Sequence, residues 1–358
     1  MKQFKPQLLP NNIAGQAPNW EARITHPIHW LYSNKLDGGR VELFANGKVL
    51  GRSLKPITSI HIQQMAKDTM DILQLHSDSI IEAEFFSEEM NFAEIMHFFR
   101  SEDVTSDSTL KKYLNLWKKT GGQAEKGWPF PGRSVEWLTT WHDSLKFYAF
   151  GIVNAWTPHI PFSVRVLDLV RQVAKYTHAM GTLSPDLVMI QQNNFEHIDA
   201  LYQAYDQSII DGYEGLVLMH KDSSYKFGRH TLNDNLAFKI KEDNLEYDGK
   251  ILEVEESTLA KEGSEKTINE LGRSKTSQLK DDREPSGMAK GFLVLLDDGQ
   301  TMSVSLTGFN HPERIDLLNN PEEYVGKWIK FTAMAPVKVG GRPRGPAHFT
   351  KGNVRDDK

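Results

Sequence analysis

The stretch SNKLDGGR, residues 33–40, places a lysine two positions before an aspartate, then a Gly-Gly pair and an arginine. Apolar residues flank it on both sides, WLY (30–32) before and VELF (41–44) after. This polar turn therefore sits between strand-like runs rather than on an open surface loop. Just beyond, VELFANGKVLGRS (41–53) sets Asn46-Gly47 between two apolar runs, a two-residue hairpin signal. Residues 28–52 thus read as strand, motif and hairpin, with Lys35 held at the junction.

At 358 residues the chain can bury a substantial core, and its length favours two domains. Charged residues make up 25% and hydrophobic residues 39%, a balance ordinary for a globular protein. The absence of cysteine removes disulfides, thiolate metal sites and thiol nucleophiles, and fits a reducing cytoplasm. MKQFKPQLLPNNIAGQ lacks the apolar centre of a signal peptide, and no apolar run reaches membrane-spanning length. A soluble, cytoplasmic protein without a membrane partner is expected. Net charge is −5, but it is unevenly spread. Residues 326–358 hold eight Lys or Arg, including Arg342 and Arg344, against Asp356 and Asp357, so that segment is +6 and the remainder −11. A basic segment on an acidic chain suits a phosphate-bearing partner, although a solvated tail has the same composition.

Helical spacing marks HIQQMAKDTMDILQL (61–75) and SVRVLDLVRQVAKYTHAMG (163–181), the latter with Gly181 at its C-terminal end. Asn193 and Glu196 have capping-box spacing ahead of a helix in FEHIDALYQAYDQSII. Residues 100–133 read as irregular, with TGGQAEKGWPFPGR a surface loop. After about residue 243 the texture changes to short strand-like runs, DGKILEVEE, GFLVLLDDG, TMSVSLTG and KWIKFTAMAPV, interrupted by a charged stretch over 257–290. Such a series suggests a small all-β barrel the size of an OB-fold.

Four further stretches carry polar groups on strand-like backbones. In IIEAEFF (80–86) a period of two puts Glu82 and Glu84 on one face. In KFYAFGIV (146–153) Tyr148 and Phe150 share a face; in EGLVLM (214–219) Glu214 heads an apolar strand. In LAFKIKE (236–242) Lys239 and Lys241 face away from Leu236, Phe238 and Ile240. Each alone has a structural explanation: a solvated strand face, a solvated strand end or core aromatics.

In this order, however, the set resembles the covalent nucleotidyltransferases: ATP-dependent DNA ligases, RNA ligases and mRNA capping enzymes. The resemblance spans nearly the whole chain, since the family adds an OB-fold after the Lys-x-Lys strand, and its ligases often end in Arg-x-Asp-Lys. Here the end reads RDDK, Arg355 to Lys358. The implied fold is α+β: a nucleotidyltransferase (adenylation) domain of packed antiparallel sheets with helices over 1–243, then an all-β OB-fold domain over 244–358. GRSLKP and the two-domain length look most like compact bacteriophage-type DNA ligases.

The resemblance implies that Lys35 is the nucleophile forming lysyl-AMP, assisted by Lys239 and Lys241. Asp37, Arg40 and Arg52 would contact AMP or the nick phosphate, and Phe150, with Tyr148 as alternative, would stack on adenine. Glu84 would contact the ribose and Glu214 would help bind metal, both carrying hard oxygens suited to Mg²⁺. Arg355 and Lys358 would meet the pyrophosphate. The cosubstrate is ATP, the partner nicked double-stranded DNA and the protein a monomer. Lys261, Lys266, Arg273 and Lys275 in the charged stretch, with Arg342 and Arg344, are candidates to grip DNA. An amine attacking an α-phosphate must be neutral, whereas free lysine titrates at roughly 10.4, so nearby cations and desolvation are needed. Phosphoryl transfer relies mainly on positioning and charge stabilisation, which suits a ring of cations.

Three departures from the family pattern stand out. Gly151 occupies a place where Asp often follows the stacking aromatic, and Glu82 replaces the Asp of Asp-Gly-Glu. The segment KGNV before Arg355 lacks the additional Arg common there. An RNA ligase or capping guanylyltransferase would share the Lys35 chemistry. A non-catalytic OB-containing nucleic-acid-binding protein would form no covalent adduct. A glycosidase built on Glu82, Glu84 and Glu214 leaves the Lys-x-Lys strand unexplained.

Overall fold

β-Branched and aromatic residues at alternating positions build two sheets in the first of two units, Met1–Glu242 and Asp243–Lys358. The computed structural model describes the chain apart from residues 1–3, 11, 14–18, 105, 122–129, 131, 135, 155, 182–184, 243, 265, 278, 335, 337–342, 353, 357 and 358. Arg342 and Lys358, both expected site residues, lie outside the described residues.

The strands of the first unit are β1 (Trp30–Asn34), β2 (Gly39–Phe44), β3 (Val49–Gly51), β4 (Ser79–Phe86), β5 (Lys146–Asn154), β6 (Leu187–Met189), β7 (Asn193–Asn194), β8 (Gly215–His220) and β9 (Ala237–Lys241). Its helices are α1 (Ile60–Leu73), α2 (Phe92–Arg100), α3 (Asp107–Thr120), α4 (Trp137–Thr140), α5 (Phe162–Met180) and α6 (Ile198–Ile210). One sheet runs β3-β2-β4-β5-β6 and the other β7-β1-β8-β9. On the first, Val41, Leu43, Ile81, Ala83, Phe85 and Phe147 pack beneath α1, α2 and α5. Period two then leaves Arg40, Glu42, Glu82, Glu84 and Phe150 on the opposite face. On the second, Trp30, Leu216, Leu218, Phe238 and Ile240 form a core with Leu201 of α6. Lys239 and Lys241 take the alternate positions of β9 and are half-buried.

Two local readings are corrected. Residues 107–120, within the stretch read as irregular, form α3, capped by the Ser106 hydroxyl and ended by Gly121 at φ 62°. Its apolar side, Tyr113, Leu116 and Trp117, meets the core, while Lys111, Lys112, Lys118 and Lys119 mask the helical period in the sequence. The helix expected after Asn193 begins instead at Ile198, where the His197 ring accepts from the Ala200 amide at 3.1 Å. Asn193 and Asn194 pair with Tyr32 and Leu31 of β1, so sheet pairing overrides the local capping pattern.

The second unit contains β10 (Leu245–Ala260), β11 (Lys266–Ile268), β12 (Ser274–Thr276), β13 (Arg283–Leu295), β14 (Thr301–Thr307), α7 (His311–Asn319), β15 (Trp328–Met334), β16 (Arg344–Thr350) and β17 (Val354–Arg355). Pairings β10–β13–β14–β16–β15–β10 close a five-stranded barrel, with only β14 and β16 parallel and α7 before β15. This is an OB-fold barrel, filled by Ile251, Phe292, Val294, Val304, Phe331 and Phe349. The charged stretch is not loop throughout. β10 and β13 pair with each other past the barrel, as far as Ala260 with Arg283, and β11 and β12 form a small hairpin at the far end. Among the described residues no helix is long and apolar enough to cross a membrane.

Candidate active site

Lys35 follows directly on β1, and its backbone continues the sheet. Its amide donates to the Gly215 carbonyl at 2.8 Å, and the Glu214 amide donates to the Lys35 carbonyl at 2.9 Å. Gly215 takes φ +133°, and a Cβ there would stand 2.2 Å from the Ile240 carbonyl oxygen. Only glycine lets β8 approach β9 this closely. In the turn after Lys35, a Cβ on Gly38 would lie 2.5 Å from the Phe85 carbonyl oxygen, so that glycine seats the turn on β4.

These constraints gather the charged groups. The Lys35 ammonium pairs with one Glu214 oxygen, and Lys241 Nζ donates to the other at 2.8 Å. Burial alone would raise the Glu214 carboxyl, but Lys35 and Lys241 outweigh it and hold the group below its usual range. Lys239 shows the converse: burial, then the like charges of Lys35 and Lys241, bring it down to about 8. Glu84 is half-buried, and burial lifts it to about 7 against Lys35 and Arg40, with Asp37 and Glu214 adding to the rise. Lys35, Asp37, Glu84, Glu214, Lys239 and Lys241 thus feel one another across the space between the two sheets.

Arg40 forms the floor of this space. Its guanidinium donates to Glu42 at 2.9 Å, to the Gln7 carbonyl at 2.7 Å and to Glu82. Glu82 also accepts from the Tyr225 hydroxyl at 2.6 Å. Burial opposes the Arg40 charge, yet Glu42 and Glu82 hold its proton more tightly than in water. Burial likewise raises Glu42 to about 8, with Arg40 opposing. Arg40 is therefore partnered within the protein at three of its donor groups, and Phe150 lies over it at 5.1 Å. Tyr148 instead sits edge-on to Phe86, with its hydroxyl 3.4 Å from Glu88. Arg52, in the turn after β3, loses proton affinity first through burial and then through the positive charges of Arg229 and Arg40. Converging like charges of this kind favour an anion.

The two departures in the strand motifs explain each other. A Cβ on Gly151 would stand 2.9 Å from Glu82 Oε2, so glycine there makes room for the longer carboxylate at position 82. Sequence reasoning missed Arg229, Tyr225, Gln7 and Asn12, which lie in segments without periodic signal. Glu42 was legible, being two residues from Arg40 on one strand.

In the second unit, Arg355 pairs with Asp248 of β10. Lys261, Lys266, Arg273 and Lys275 are exposed on the ribbon and its hairpin, and Arg344 opens β16. Among the described residues, no group of three His, Asp or Glu side chains is placed to hold a metal ion by itself. Glu84 and Glu214 fit Mg²⁺ in its other common setting, where one or two carboxylates act with substrate phosphates.

No protein-family model and no curated protein matches the chain. Solved structures do. A Lig E DNA ligase, from work on DNA binding with a minimal scaffold, is 18% identical over 99% of this chain and 100% of its own, with a TM-score of 0.57. A structure named Pmar-Lig_PreS3 is 17% identical over 98% of this chain and 67% of its own, at 0.62. The Chlorella virus DNA ligase-adenylate is 19% identical over 99% and 100%, at 0.47. The fold of the chain is that of the Lig E DNA ligase.

Proposed function

We propose that the protein is an ATP-dependent DNA ligase that seals nicks in duplex DNA through a lysyl-AMP intermediate. The observation that carries this reading is the lysine cluster on one carboxylate. Lys35 and Lys241 share Glu214, and Lys239 is held near a neutral-pH titration point by burial and by both of them. A solvated strand face would leave these ammoniums apart from one another and from any shared carboxylate. The ligase fold, at low identity, supports the same reading.

In the first step Lys35 Nζ attacks the α-phosphorus of ATP; a P–N bond forms and the bond to pyrophosphate breaks. Lys239, titrating at about 8, suits a group that accepts or returns a proton near neutral pH. Lys241 and Arg52 face charge that builds on the phosphates. Phe150, backed by Arg40, offers a face for adenine. Glu84 and Glu214 would hold Mg²⁺ against the phosphates, where it would neutralise negative charge. AMP then moves to the 5′-phosphate of the nick, and the 3′-hydroxyl displaces it.

The test is to incubate the protein with Mg²⁺ and α-labelled ATP or GTP, denature it and look for label on the polypeptide, with Lys35→Ala alongside. Label from ATP alone, lost in the variant, is expected, followed by sealing of a nicked duplex. Label from GTP would favour capping chemistry instead. Absence of label, from protein shown not to be already adenylylated, would leave nucleic-acid binding as the better description.

A further inference from the structure

Residues 4–10 and 12–13 run as a strap along the candidate site, and their bonds fall on its cations. The Gln7 carbonyl accepts from Arg40 at 2.7 Å, while the Gln7 amide donates at 2.9 Å to Tyr225, the residue that holds Glu82. The Leu8 amide donates to the Gly228 carbonyl at 2.8 Å, and the His230 amide donates to the Leu8 carbonyl at 2.7 Å. Between those two contacts Arg229 donates to the Leu9 carbonyl at 2.7 Å. Further along, the Ile13 amide donates to the Lys239 carbonyl at 3.1 Å. Asn12 closes the series. Its Nδ2 donates to the Lys241 carbonyl at 2.8 Å, and its Oδ1 accepts from the Lys241 amide at 3.2 Å.

β9 is the outermost strand of its sheet, so Lys239 and Lys241 present backbone groups that no further strand of that sheet pairs among the described residues. The Asn12 carboxamide stands in for that strand, offering one donor and one acceptor in the geometry of a ladder. This matters because electrostatics alone does not hold the cluster. Lys35, Lys241 and Arg229 all repel Lys239, against the attraction of Glu214. Neutral bonds to the main chain supply a restraint that charge cannot.

We propose that this strap is a positioning element for the phosphate-facing cations, and that Asn12 is the residue through which it sets Lys239 and Lys241 against Glu214. The inference rests on the nucleotidyl-transfer reading for its purpose, but its geometry can be tested without any nucleotide.

The experiment uses the full chain, as wild type, Asn12→Ala, the milder Asn12→Ser and the carboxamide-retaining Asn12→Gln. Competitive acylation with acetic anhydride, from about pH 6 to about pH 11, is quantified for each lysine by mass spectrometry. In the wild type, Lys239 should reach half-maximal labelling near 8, with Lys67 as an exposed reference. In Asn12→Ala the Lys239 curve is expected to move up towards the ordinary lysine value of about 10.4 while Lys67 stays in place. Asn12→Ser and Asn12→Gln should fall between. The rate of lysyl-AMP formation at saturating ATP should drop about ten-fold in Asn12→Ala, with a smaller change in KM. A Lys239 curve that is unmoved in Asn12→Ala, or in Asn12→Ser where the alanine variant fails to fold, overturns the strap's role. A curve that moves in a protein forming no adduct overturns the functional reading and leaves the strap standing.

Discussion

At Gly151 and Glu82 a single missing methyl group decides how a carboxylate can be held. Arg40 and Tyr225 both bond Glu82 Oε1, so moving Oε2 away from a Cβ that arrives 2.9 Å from it disturbs those bonds. Gly151→Ala should therefore cost about 1–3 kcal/mol of stability, read from urea midpoints. Glu82→Asp leaves Arg40 and Tyr225 short of an acceptor and should cost a similar amount, about 1–3 kcal/mol. Together they should cost less than their sum by more than about 0.5 kcal/mol, since the shorter acid makes room for the methyl. Strict additivity would mean that the two positions do not constrain each other. The Glu82–Glu84 face was legible from period two alone. That Glu82 would be buried against Arg40, with Tyr225 contributed from far along the chain, was not.

At the level of elements, hydrophobic period located most strands and failed where polarity hid it. In α3 four lysines on the exposed side outweigh the apolar stripe, so composition resembles a loop although caps and period are helical. In β7 two asparagines become a strand because β1 offers partners, a decision that no local propensity records. The ribbon of β10 and β13 is a third case: its residues face solvent on both sides, so no apolar alternation marks it. It extends Lys261, Lys266, Arg273 and Lys275 as exposed side chains, whose replacement by alanine should leave the barrel core untouched. On the proposed function, the fourfold alanine variant should bind nicked duplex more weakly. Its log affinity should also depend less steeply on log salt, by about 0.9 for each phosphate that is no longer neutralised. Affinity and salt slope equal to the wild type would show that the ribbon is a solvated insertion.

On the scale of the molecule, the hydrophobic clusters of residues 1–242 share no residue with the barrel core of the second unit. Independent cores unfold independently unless an interface couples them. Calorimetry should resolve two transitions, one matching the melt of residues 244–358 alone. On the proposed function, ATP should raise the other, because Lys35, Glu84, Glu214 and the lysines of β9 all belong to the first unit. One transition that shifts as a whole would mean that the two cores are energetically coupled. The sequence by itself determined which residues alternate along each strand, where the polar faces lie, and the order in which Lys35, Glu84, Phe150, Glu214 and the Lys-x-Lys pair occur. These depend on backbone geometry that repeats every two residues, so a short window contains them. Only the tertiary structure decided that Arg40 is claimed by Glu42, Glu82 and Gln7, that Glu214 is shared by two lysines, and that Asn12 completes the edge of β9. Those bonds join residues up to 229 positions apart, and burial sets their strength, which no local pattern encodes.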